Sequence, residues 1–138
     1  MKTINIEDFY TEANEAKGMW HEPVIDGEPC GLKFLIIGIH SAEAVNNMVH
    51  YDKLVDKLKE EEDEDVRAQK EKEIDAERIA SITKDIKGSN GETLMKDGKE
   101  IEINKESIKE LYLNAPLLKM DIVEFALKTS NFMKKSED

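Results

Sequence analysis

Cysteine occurs once in this 138-residue chain, at Cys30. An intramolecular disulfide is therefore excluded, and with it the stapled architecture of small secreted domains. Proline occurs three times, and neither proline nor glycine interrupts the chain from Ser41 to Lys87. Aromatic residues make up 6% of the sequence, with a single tryptophan, Trp20. The longest apolar run, Phe34 to Ile39, is far too short to span a bilayer. The N-terminal MKTINIEDFYTEANEAKG lacks an apolar core of signal-peptide length and turns acidic at Glu7. Together these absences point to a cytoplasmic protein. Positive charge is also scarce: 20 Lys and Arg stand against 31 Asp and Glu, a net charge of −11. Such a chain is repelled by phosphate backbones and by anionic bilayers, so direct nucleic-acid and membrane binding are disfavoured. Basic surfaces of other proteins are the electrostatically matched partners.

The motifs of common chemistries are missing as well. His21, His40, His50 and Cys30 are the soft or borderline metal ligands. Their spacing contains neither a C-x-x-C pair nor a finger-type His pair, and His21-Glu22 is not followed by the second histidine of H-E-x-x-H. A structural role is the simpler reading for all four, and no metal or cofactor is expected. Six consecutive acids, Glu60 to Asp65, lack the alternation and the glycine of an EF-hand loop. Contiguous carboxylates read as a solvated, self-repelling face. Ser41 follows Gly38-Ile39-His40 rather than sitting in a nucleophile elbow, and no glycine-rich loop ends in G-K-[ST]. A non-enzymatic protein is the expectation.

What is present is helical periodicity broken by a few clear turns. Ile6 to Lys17 can form a short helix with Phe9, Ala13 and Ala16 on one side, stopped by Gly18. Met19–Ile25 and Leu32–Ile39 read as extended, with Asp26-Gly27 turning between them. In LKFLIIGI both faces are apolar apart from Lys33, which suits a covered strand. Trp20 suits hairpin or core packing, or a binding hot spot. Ser41 is an expected N-cap, and Val45, Met48, Tyr51, Val55 and Leu58 form an apolar stripe after it. Val66, Ile74, Ile79, Ile82 and Ile86 form a second, sparser one. Segment 41–87 is thus one long charged helix, roughly 65 Å if continuous, or a helical hairpin, and it can project from the rest. Asp63 and Arg67 are spaced to pair across a turn.

Residues 91–133 read as a module of a hairpin and two helices. Asp97-Gly98 tolerates the positive φ angles of a tight turn. Ile101 and Ile103 alternate with Glu100 and Glu102, Asn104 caps a helix, and Ile108, Leu111 and Tyr112 share its face. Pro116 fits the first turn of the final helix. Leu118, Ile122, Phe125, Thr129 and Phe132 then make a continuous stripe. Leu117, Met120, Val123, Leu127 and Met133 lie off it, so the helix is apolar around much of its circumference. These five are the candidate partner-binding residues, and such a face also admits self-association. The fold class expected is α+β, predominantly α-helical, in a single domain over 1–138: small β-hairpins, the central helical segment and a C-terminal helix pair.

The order of these elements resembles the tail assembly chaperones of long-tailed bacteriophages. GLKFLIIGIHSAEAV is similar to the strand, glycine and capped helix near the start of such proteins, followed by a long charged helical stretch. ITKDIKG, Ile82 to Gly88, and EIEINKESIKELYLNAPLLKMDIVEFALKTSNFM resemble the family's closing pattern, which finishes in Asn-Phe, here Asn131-Phe132. Many relatives carry a tryptophan near the position of Gly88, and this sequence does not. The resemblance implies a chaperone that binds tape-measure and tail-tube proteins in the host cytoplasm and is absent from the finished virion. The alternative suggested by the charge is an acidic inhibitor of the DNA-mimic type, whose carboxylates imitate phosphates for a basic host or defence protein. A small enzyme whose site is assembled only in three dimensions is a third reading.

Overall fold

Antiparallel pairing around one apolar strand organises the molecule. The computed structural model describes residues 2–134. Strand β4 (Leu32–Ile36) lies between β1 (Met19–His21) and β5 (Thr83–Gly88) in a three-stranded sheet. Trp20 stands opposite Leu35, and Phe34 lies between His21 and Ile86. The register shifts between Leu35 and Ile36, so Ile36 meets Thr83. Two short hairpins complete the strands: β2 (Val24–Ile25) with β3 (Glu28–Pro29), and β6 (Met95–Lys96) with β7 (Lys99–Glu100). At their tips Asp26-Gly27 and Asp97-Gly98 all have positive φ, the conformation those residue pairs tolerate best.

Five α-helices occur among the described residues: α1 (Glu12–Lys17), α2 (Ala42–Leu58), α3 (Glu64–Ser81), α4 (Lys105–Asn114) and α5 (Pro116–Leu127). Single 3₁₀ turns cover Ile6–Phe9 and Thr129–Phe132. The protein is α+β and predominantly helical, with small antiparallel sheets. Helix α3 is central, touching α2, α4, α5 and β5. The core joins Phe34, Ile36 and Ile86 of the sheet to Ala76 and Ile79 of α3, Ile108 and Tyr112 of α4, Ile122 and Ala126 of α5, and Phe132. A hydroxyl relay links polar groups inside it. Thr83 Oγ1 donates to the Ile79 carbonyl (3.0 Å), so the Tyr112 hydroxyl donates to Thr83 Oγ1 (2.7 Å).

Local signals account for the helix ends. Ser41 Oγ accepts from Ala44 N and donates to the Gly38 carbonyl. Asn104 and Ser107 form a reciprocal capping box. Pro116 opens α5 where its missing N–H costs nothing.

Several sequence expectations are corrected. Of the two readings of segment 41–87 the helical hairpin holds, folding back between Leu58 and Glu64 to pack α2 on α3, but the segment is not helical to its end: it becomes strand at Thr83. Ile79, Ile82 and Ile86 satisfy helical spacing, yet pairing with β4 holds the last of them in a strand. Asp63 does not pair with Arg67. Its carboxylate caps α3 through Asp65 N and Val66 N, while Arg67 donates to the Glu61 carbonyl. The expected helix from Ile6 to Lys17 is a 3₁₀ turn at Ile6–Phe9 followed by the separate α1, and its inward residue is not Phe9, Ala13 or Ala16 but Glu15, only 3% exposed. It accepts from the Thr11 hydroxyl (2.7 Å) and His40 N (3.2 Å), and the bare Cα of Gly38 lies against its side chain. Trp20 is not core: it is 40% exposed on the outer sheet face, with the Lys87 ammonium 4.1 Å from its ring centroid. Val45 and Met48 of the first α2 stripe are also about half exposed.

Candidate protein-binding surface

Helix α5, PLLKMDIVEFAL, has apolar residues on all sides and therefore must cover more than one face. Leu118, Ile122, Phe125 and Ala126 turn inward, where Phe125 stacks on the His21 ring (centroids 4.2 Å apart) and tilts against Phe132 (5.5 Å). His21 Nε2 also lies 2.5 Å from Asp121 Oδ1, fastening β1 to α5. Leu117, Met120 and Leu127 face water at 63%, 58% and 63% exposure. Their spacing places them on one side of the helix, together with Glu124.

Leu127 also belongs to a groove of about 240 Å³ between α5, α3 and the first half of α2. Ile39, Met48, Ile79, Val123 and Ala126 line it, with Asp75 and Arg78 among its polar residues. The apolar surface continues along α2 through half-exposed Val45 and Val49. Of the five residues expected to bind a partner, Leu117, Met120 and Leu127 therefore form an open stripe and Val123 the adjoining groove wall. Met133 stands apart. It follows the 3₁₀ turn and lines a separate cleft against α1 with Tyr10, Ala13, Asn14 and Met19.

The electrostatics at the groove are uneven. Lys119 Nζ lies 2.5 Å from Asp75 Oδ2, a close pair linking α5 to α3. Arg78 Nη2 reaches Asp52 only at 4.0 Å, and the enclosed Arg78 Nε has no acceptor among the described residues. An unpaired donor of this kind is costly, by about 1–3 kcal/mol for a buried group. Nothing in the periodicity of the sequence singled out Arg78, because only the packing of α2 on α3 encloses it.

Three other surface features lie apart from the groove. The segment before α1 is open, with Ile4, Ile6, Phe9 and Tyr10 at 80%, 67%, 62% and 56% exposure. The acid run Glu60–Asp65 forms the tip of the α2–α3 hairpin, where Asp63 is used as a cap and Glu61 Oε2 lies 3.7 Å from Lys70. The histidines are dispersed: His40 Nε2 is 3.4 Å from the Thr129 hydroxyl and His50 packs edge-on to Tyr51. No cluster of three or more His, Cys, Asp or Glu suited to a metal ion occurs among the described residues. Nor is any helix there long and apolar enough to cross a membrane.

Comparison with protein-family models, with curated proteins and with solved structures yields no match.

Proposed function

We propose that this chain is a non-enzymatic binding protein that covers an apolar helical face of another protein, acting as a tail assembly chaperone of a long-tailed phage. The observation that carries this reading is the apolar surface running from Leu117, Met120 and Leu127 into the groove walled by Val123 and Met48. A contiguous apolar face of this kind on a strongly charged chain marks an interaction site. A helix laid along it places apolar side chains at i, i+3 and i+7 against the stripe, the usual helix-in-groove mode. Tape-measure protein, long and helical, is the first partner, and tail-tube protein the second. The work takes place in the host cytoplasm, and the chaperone leaves before the particle is complete.

The test is capture of a co-expressed tape-measure segment by the full chain and by Met120→Glu/Leu127→Glu. Both positions are exposed, so the variant should melt as the parent does, while capture falls at least tenfold. Undiminished capture would remove this surface from the function. Absence of capture by the parent would remove the partner.

A further inference from the structure

We infer that the segment Thr3–Tyr10 of one copy seats in the α2–α3–α5 groove of a second copy, forming an arm-exchanged dimer. Within its own chain this arm contributes no fully buried residue: Phe9 and Tyr10 line the cleft beside α1, yet Ile4, Ile6, Phe9 and Tyr10 are all large and at least half exposed. Its ties to the rest of the chain are slight. Lys134 N donates to the Tyr10 carbonyl (2.8 Å), and the Lys134 ammonium lies 3.7 Å from Glu7 in an exposed pair.

Groove and arm match in two respects. The groove's roughly 240 Å³ admits one or two large apolar side chains between Met48, Ile79, Val123 and Leu127. Its guanidinium, Arg78, has an unpaired Nε and only a long contact to Asp52. The arm places Glu7 and Asp8 between Ile6 and Phe9, so apolar anchors arrive with adjacent carboxylates. A carboxylate is the planar acceptor that a guanidinium fork takes side-on. The Arg78 side chain as a whole is 36% exposed while its Nε is enclosed, so an arriving carboxylate meets the outer guanidinium nitrogens first.

Size is consistent with a stable pair. With two of these side chains in the groove and the other two against its rim at Val45 and Val49, the four offer on the order of 400 Å² per arm, since aromatic residues alone bury about 150–250 Å² each. Two reciprocal arms with the surface they cover reach on the order of 1,600 Å², a standard interface. Reciprocal exchange also closes under twofold symmetry, so the association stops at two. The opposing effect is repulsion between two chains of net charge −11. The dimer is therefore best measured at about 0.3 M salt, where the Debye length is near 6 Å.

Sedimentation equilibrium of the full chain is the experiment, read from about 5 to 500 μM, alongside thermal melts. The parent should sediment as a monomer–dimer mixture. Ile6→Ser/Phe9→Ser and, separately, Arg78→Gln/Leu127→Glu should each weaken association at least tenfold. Mixing the two variants should restore association, because one intact arm then meets one intact groove. A parent that stays monomeric throughout overturns the proposal, whether the arm is then free or folded onto its own groove. So does a dimer that survives both variants, which would place the interface elsewhere. A groove variant that melts early is replaced by Arg78→Gln alone, and full-strength association of that folded protein also counts against the assignment. No phage partner is present, so failure of the dimer leaves the proposed function standing, whereas a dimer seated in this groove would compete with a partner helix for it.

Discussion

Single residues carry unequal weight, and the heaviest are those with no room to change. Gly38 is the clearest case. A Cβ there would run into the Glu15 side chain, and the Gly38 N–H itself donates to the Glu15 carbonyl. Gly38→Ala should cost about 2–3 kcal/mol by overpacking, measured by denaturant unfolding. A loss under about 0.5 kcal/mol would show that α1 yields freely. Tyr112 makes a second prediction. Burial pushes its hydroxyl well above the ordinary tyrosine range. The unfolded chain ionises near pH 10, whereas the folded chain keeps the proton to higher pH. Stability from this group is therefore intact below about pH 10 and declines as pH rises toward the folded value. Melting temperature should hold from pH 8 to about 9.5 and then fall. Tyr112→Phe should flatten that fall while lowering stability at neutral pH, since Thr83 loses its donor. An unchanged alkaline slope in the variant would assign the effect to other groups, Tyr51 first, because burial also pushes its hydroxyl up.

At the scale of elements, the α2–α3 hairpin shows why an acid run need not be a recognition surface. Acids at the start of a helix meet the positive end of its dipole and its unpaired amides. Glu64 and Asp65 occupy the first turn of α3, and Asp63 supplies the cap. Asp63→Ala should therefore cost about 1 kcal/mol, whereas Glu62→Ala, outside the cap, should be nearly neutral. Chemical denaturation of the two variants side by side checks the difference, and equal effects would refute the capping role. The caps at Ser41, Asn104 and Pro116 were all legible beforehand, because capping is written in adjacent residues. The end of α3 was not. Ile79, Ile82 and Ile86 fit a helical stripe, and only the ladder from β4 to β5 places Thr83–Gly88 in a sheet.

For the whole molecule, charge and apolar surface perform separate tasks. The net charge of −11 sets up a repulsion between copies that opposes association of the exposed apolar faces, most strongly at low ionic strength. Replacing Glu60, Glu62 and Glu64 with glutamine removes three charges, taking −11 to −8, while sparing the Asp63 cap. Capture of a tape-measure segment should weaken at most severalfold, and solubility should suffer more. A loss of a hundredfold or more, about 2.7 kcal/mol, would mean that the carboxylates themselves are the contact and would favour the DNA-mimic inhibitor.

The sequence by itself determined the turns, the caps, the predominantly helical α+β character and the surplus of apolar residues on α5. Each depends on neighbours within a few positions, where glycine, proline, Asn, Asp and Ser act through local backbone geometry. It also marked Leu117, Met120 and Leu127 as lying off the core stripe, because helical spacing is a local property. Tertiary structure alone decided which apolar stripes remain half open, as at Val45 and Met48, and which polar side chain is buried, as at Glu15. It decided that Trp20 faces outward under Lys87, that Met133 leaves the α5 surface for the cleft beside α1, and that Arg78 is enclosed without a full set of acceptors. Those outcomes depend on contacts between residues far apart in the chain, where burial is settled by what happens to pack opposite rather than by the residue's own hydrophobicity.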